Sequence, residues 1–351
     1  MKLNFFLKPK KAFALDVSGA SFKIFQFERR NDRVAVKGYA ETPVPKGLII
    51  NDVISDAKTF AFLLKQALDK PQFGHIDTRD AIVSLPESKS FVRVIQIPRM
   101  SDAEADNAVP FESENFIPMP IDQVYLDWQY LGENADGKMN ILIIATPKEF
   151  VDSFLGVLDK ASIRTVALEV ESQSCHRALI QVGAKETSLI VNMSANRSSL
   201  IMVEEGNLQF TSTVPIAGNS FTESIARALG VSSTKAEEIK RKVGVANTTE
   251  YPNIKIALLP ILTNLSAEIK NILKFHGEHS DKQVSRIVLA GGSARLKNMV
   301  EFLTPEFSDF PGLSIQLGNP WVNIPTIQEQ LAPEDALGFV TSVGLAMRGI
   351  E

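Results

Sequence analysis

Two segments of this chain share one pattern, and in each the turn is made of residues that let backbone close on an anion. Phe13-Ala14-Leu15-Asp16-Val17-Ser18-Gly19-Ala20-Ser21-Phe22-Lys23 is an apolar strand, a small polar turn and the start of an alternating strand. Leu189-Ile190-Val191-Asn192-Met193-Ser194-Ala195-Asn196-Arg197-Ser198-Ser199 has the same order of types. The two superpose without a gap at an offset of 176, Asn192 on Asp16 and Ser194 on Ser18. Small and hydroxyl residues leave N–H groups open to close approach by a phosphate. If the two units face each other, a triphosphate fits between their turns. A third candidate is Gly291-Gly292-Ser293, after the apolar run Val284 to Ala290. Such a turn offers bare backbone to a planar ring or a phosphate, although a diglycine is also ordinary turn chemistry. Glu237 and Lys240 lie one helical turn apart on one face, where the plain reading is a surface pair worth tenths of a kcal/mol.

Other combinations lead nowhere. His276 and His279 have no carboxylate–histidine cluster to complete a metal site. Cys175 and His176 are adjacent, so on a helix they do not face each other as a catalytic dyad would. Glu104, Asp106, Glu112 and Glu114 read as a solvated acidic face rather than a glycosidase pair. Cys175 is the one cysteine among 351 residues, which excludes an intrachain disulfide and a thiolate zinc cluster and fits a reducing compartment. A net charge of -4 speaks against a broad nucleic-acid surface, and no segment reads as a DNA-recognition module. No stretch reads as the run of roughly 20 apolar residues that crosses a bilayer. Met1 to Lys11 has too short an apolar core for a signal peptide and reads as a lead-in, or as a weak contact with an anionic membrane.

The elements that must position these turns follow the repeat. Each unit continues through a charged turn to a third strand, Arg33 to Ala40 or Asn207 to Val214, then through a Pro/Gly segment towards a helix. Two such copies predict an α/β fold of two similar lobes, 1–185 and 186–351. Thr59 to Leu68 has helical spacing, and Asp80 to Pro86 is a buried strand. From about 91 to 168 the order strand, helix, strand, strand, helix reads as an insertion in the first lobe. Ser101 to Glu104 is the cap of that first helix. In the second lobe, 219–283 reads as a helical subdomain in which Pro260 kinks or breaks the last helix.

At these residues the chain resembles the PilM family, whose members have the actin-like fold. The resemblance is carried by Leu15 to Lys23, by Val83 to Ser88 and by Ile95 to Pro98. Most distinctive is Glu112 to Gln129, followed by Pro215 to Lys240, Asn319-Pro320-Trp321 and Ser342 to Gly349. It implies binding of ATP or ADP with Mg2+. The backbone of Ser18, Gly19, Ala20 and Ser21 would cradle phosphates, Lys23 would neutralise them, and Asp16 would hold the metal through water. Gly218 and Asn219 would close from the opposite lobe. Glu237 and Lys240 would reach the ribose or adenine edge, and Gly291, Gly292 and Ser293 would pack on the adenosine. Asn192 departs from the aspartate usual there, and an amide brings no charge to a cation, so binding is expected to be better kept than hydrolysis.

The resemblance further implies a pilus-assembly adaptor, cytoplasmic and peripheral at the inner face of the membrane, with only indirect membrane contact. Its partners would be the cytoplasmic tail of PilN, received between the first lobe and the insertion, and the pilus motor or platform; self-association is also possible. FtsA-like division proteins share the inserted subdomain but add a terminal amphipathic helix, whereas this chain stops at Glu351 after its final domain helix. An active ATPase or small-molecule kinase on the same fold is the other alternative.

Overall fold

The repeat is realised as two antiparallel three-stranded units whose first hairpins share one register. Phe13–Val17 pairs with Ser21–Arg30, which pairs with Arg33–Pro43; Thr187–Met193 pairs with Ser198–Glu204, which pairs with Asn207–Val214. Asp16 lies opposite Lys23, and at the same offset Asn192 lies opposite Ser199. The turns match bond for bond. Ser18 N and Oγ each donate to Ser21 O at 2.9 Å. Ser194 N and Oγ donate to Arg197 O at 3.0 and 2.9 Å. These hydroxyls therefore stiffen their own turns. The computed structural model describes residues 11–30, 33–134, 136–324, 327–328 and 331–350, so the reading of Met1 to Lys10 lies outside the described residues.

Each first strand is buried throughout because it is central in a sheet with a parallel neighbour on its other side. The first sheet runs Arg164–Val170, Asp80–Leu85, Phe13–Val17, Ser21–Arg30, Arg33–Pro43, Ile327–Gln328. The second runs Ser314–Leu317, Val284–Ala290, Thr187–Met193, Ser198–Glu204, Asn207–Val214, Phe91–Ile97, Met139–Pro147, Val124–Glu133.

Two boundaries differ from the sequence reading. Of 91–168, only the part to 147 leaves the first sheet; its three strands extend the second sheet, joined through the bridge Phe210 to Arg93. This part has its own small core, in which Ile95, Ile97, Ala105, Val109, Ile141 and Ile143 are buried. The helix Lys148–Lys160 packs on Ala57–Asp69, and Arg164–Val170 rejoins the first sheet. Likewise the segment from Trp321 onward returns to the first lobe. The Trp321 ring lies 6.4 and 6.2 Å from those of Phe25 and Phe27, and the helix Val340–Arg348 packs on Glu171–Leu179.

The long helix Ile254–His279 runs unbroken through Pro260, whose unpaired partner carbonyl lies at exposed Ile256. By length and composition it is apolar enough to cross a membrane, which the sequence reading did not see. Its buried side, with Leu258, Leu262, Leu265, Ile269 and Leu273, belongs to the core of the second lobe.

The final helix seats so closely that a Cβ added at Gly344 would lie 1.9 Å from Ser174 O. Gly344→Ala is expected to lower stability by about 1–3 kcal/mol, read as a fall in the urea midpoint with the slope unchanged.

Candidate functional site in the cleft between the lobes

The two turns face each other. A Cβ at Gly19 would lie 2.1 Å from Asn196 Nδ2, so the approach demands a residue without one. Asn196 Oδ1 accepts from Asn219 Nδ2 at 2.7 Å. At the start of the helix Gly218–Leu229, Gly218 N donates to Ser194 O at 3.0 Å and Asn219 N to Ala195 O at 2.8 Å. Ala20 O accepts from Val44 N, and Ser21 Oγ donates to Glu41 Oε1 at 3.1 Å. The fold thus brings Ser18, Gly19, Ala20, Ser21, Gly218 and Asn219 to one place.

Behind the first turn lies a group of acids. Asp16 is buried and accepts from Ser84 Oγ at 2.9 Å, while Ser84 Oγ accepts from Val17 N. Burial raises the Asp16 pKa above the usual carboxylate value, against the pull of Lys23. Lys23 Nζ is 3.7 Å from Glu41 Oε1 and 6.0 Å from the Phe339 ring centre, so its charge is already shared. Glu171 follows the strand Arg164–Val170, and burial, then Asp16 and Glu87, hold its carboxyl well above the ordinary value. Burial likewise raises Glu87, which accepts from Ser172 N at 3.1 Å. The sequence reading missed Glu171 and Glu87 as site groups; neither sits in a turn with a recognisable pattern. Ser84 had a signal, being the one hydroxyl in the apolar strand Asp80–Leu85. Among the described residues no three His, Cys, Asp or Glu are grouped as metal ligands, which leaves Asp16 suited only to a hydrated cation.

On the other side of the cleft, Gly218, Ser293, Lys240 and Glu237 meet. A Cβ at Gly218 would lie 2.7 Å from Ser293 Oγ and 3.5 Å from Lys240 Nζ. Lys240, expected to point at a ligand, is turned inward. Its Nζ donates to Gly218 O and Thr222 Oγ1, both at 2.9 Å, and pairs with Glu237 Oε2 at 2.6 Å. Those three contacts use its three donors, so it holds the helix start and Glu237 in place. Gly291 has φ of 83°, and a Cβ there would meet Met193 O at 2.4 Å. Gly292 has open space at the same position, so it is the member of the pair that shows bare backbone. Asn192 is buried and directs Nδ2 to Cys175 Sγ at 3.4 Å. Bare backbone at Gly292, a shared lysine charge and a buried aspartate suit a phosphate-bearing ligand with a hydrated cation.

A separate concavity of about 360 Å³ lies where three parts of the chain meet. Gln129, Leu131 and Leu142 line it from the insertion, Gln173 and Arg177 from the helix Glu171–Leu179, and Leu208 from the second lobe. At its floor Glu169 is buried between Arg177 at 2.6 Å and Arg348 at 3.0 Å.

Comparison with known proteins places this geometry. Residues 14–350 match the family model described as type IV pilus assembly protein PilM. A solved PilM-PilN type IV pilus biogenesis complex is similar at 24% identity and a TM-score of 0.80, over 97% of this chain and 99% of that one. MreB 5 of Spiroplasma citri, solved bound to AMPPNP, is similar at 12% identity and a TM-score of 0.53, over 97% and 96%. The cell division protein FtsA of Streptococcus pneumoniae is 21% identical over 95% of this chain and 82% of that protein. The structural likenesses show an actin-like α/β fold.

The cluster at Glu237 has a pH signature. Burial opposes its charge, but hydrogen bonds from Lys240, Thr222 and Arg241 prevail and bring its pKa from 4.5 to about 2. For Lys240 burial prevails, and its pKa falls. A carboxylate with a depressed folded-state pKa stabilises above its unfolded value, and the gain is lost as pH falls through the folded one. Glu237→Gln is therefore expected to be less stable than the parent at pH 7, with the gap closing from about pH 4.5 towards pH 2 in urea titrations.

Proposed function

The chain belongs to the family described as type IV pilus assembly protein PilM, and on that premise we propose that it is a nucleotide-binding adaptor of pilus assembly, docking the cytoplasmic tail of a PilN-like membrane protein. The observation that supports this most directly is the family match over 14–350 in a chain whose two turns face each other across a cleft. It works at the inner face of the cytoplasmic membrane, where the docked tail couples the platform to the pilus motor.

ATP or ADP with Mg2+, when bound, supplies the charges that fix the angle between the lobes. The backbone of Ser18, Gly19, Ala20 and Ser21 would lie against the phosphates, and Lys23 would offset their charge. Asp16 orients the hydration shell of the cation. Gly218 and Asn219 close from the second lobe. Glu237, held from behind by Lys240, would take a ribose hydroxyl, and the turn Gly291-Gly292-Ser293 would face the adenosine through Gly292. Asn192 spends its amide hydrogen on Cys175 and has no charge to order an attacking water, so this chain holds nucleotide with slow turnover. That distinguishes the proposal from an active ATPase or kinase. The FtsA likeness is more distant than the PilM match and adds no further role.

The tail docks in the 360 Å³ concavity between the first lobe, the insertion and the second lobe. A peptide that orders on binding loses conformational entropy, so a preformed concavity with apolar walls at Leu131, Leu142 and Leu208 favours it. Calorimetric titration with MgATP and with a PilN-type tail peptide tests both halves. Nucleotide and peptide should both bind, with little phosphate release; rapid release without peptide binding would sink the adaptor reading. Gln129→Trp, at an exposed lining position, is expected to weaken the peptide by about tenfold or more and to leave nucleotide affinity unchanged.

A further inference from the structure

Arg197 closes the second turn, at the position that Ser21 occupies in the first. Its side chain is 17% exposed and reaches across the cleft, bonding Asp52 through Nη2 and Ser88 through Nη1. Asp52 belongs to the two-residue turn Asn51-Asp52, with φ of 50° and 68°, between the short strands Ile49–Ile50 and Val53–Ile54. Asn and Asp tolerate that conformation, so the turn holds the Asp52 carboxylate still. Ser88 Oγ also donates to Asp52 Oδ2 at 2.6 Å, which joins all three groups.

We infer that Arg197 is a phosphate-binding residue of the cleft, positioned by Ser88, restrained by Asp52 as a competing anion, and selective for the terminal phosphates of a nucleoside di- or triphosphate. This rests on the nucleotide-binding reading above and adds to it the group that senses phosphate number. Three observations carry it. The guanidinium leaves the turn in which Asn196 touches Gly19 and crosses to Ser88 and Asp52 of the first lobe, with 17% of the side chain exposed. Its fork matches a phosphate as well as it matches a carboxylate and a hydroxyl, so it can keep one partner while taking a phosphate oxygen with the other nitrogen. Of the acids near it, Asp52 is the one its guanidinium bonds, while burial raises the pKa of Glu87 and Glu171. Lys23, by contrast, is shared deep on the strands with Asp16 and Glu41.

The test is equilibrium binding of ATP, ADP and AMP with Mg2+ to the whole chain, its Arg197→Gln variant and its Asp52→Asn variant, with folding followed by circular dichroism. Arg197→Gln is expected to weaken ATP by about tenfold or more while changing AMP less than about twofold. Asp52→Asn removes the competitor and is expected to tighten ATP; this variant carries the test should Arg197→Gln not fold. Equal loss of ATP and AMP in the glutamine variant, or no loss, would overturn the inference and leave Arg197 as a tie between lobes. Weaker ATP in Asp52→Asn would overturn it too. If the parent binds none of the three, the nucleotide reading itself falls, and this inference with it.

Discussion

The constraint on which the rest depends is the closeness of the two turns. With 2.1 Å between a would-be Cβ of Gly19 and Asn196 Nδ2, the amide side chain of the second turn lies directly against the glycine backbone of the first. That closeness requires each turn to be closed by its own hydroxyl, as Ser18 and Ser194 do, because a loose turn would fill the gap. It also requires the strands that lead into the turns to be central in their sheets, with Leu15 and Val191 fully buried, so that the turns are fixed by the cores of the two lobes. The helix at Gly218 then completes the cleft by spending its first N–H groups on the second turn.

Charge within the cleft obeys the same economy of space. Asp16, Glu87 and Glu171 lie close enough that they cannot all ionise readily, and burial raises each of them. Lys240 is the reverse case, a buried ammonium kept by three protein acceptors. Its work is structural: it ties the helix Ser233–Val243 to the start of Gly218–Leu229 and presents Glu237 outward.

The duplicated units were legible in the sequence because strand alternation and turn composition are local properties, repeated with identical spacing. The family resemblance was legible for a similar reason, since its segments run in order along nearly the whole chain. Less was legible where partners are distant. Nothing local to Phe91–Ile97 says that it will pair with Asn207–Val214 rather than return to its own lobe. Nor does anything local to Trp321 say that its ring will lie against Phe25 and Phe27. Glu237 and Lys240 were found by spacing, but which of them faces outward depended on Thr222 and Gly218, from another helix. Arg197 went unread because its partners Asp52 and Ser88 lie more than a hundred residues away.

The seam at Phe210 and Arg93 gives the molecule a strap. The inserted strands leave and re-enter the first lobe by covalent chain, yet their hydrogen bonds run into the sheet of the second. Any rotation of one lobe against the other must therefore pull on this strap, either shearing the seam or dragging the insertion along. The 360 Å³ concavity is lined by the insertion, by the helix Glu171–Leu179 and by the second lobe, so a rotation of the lobes would change its width.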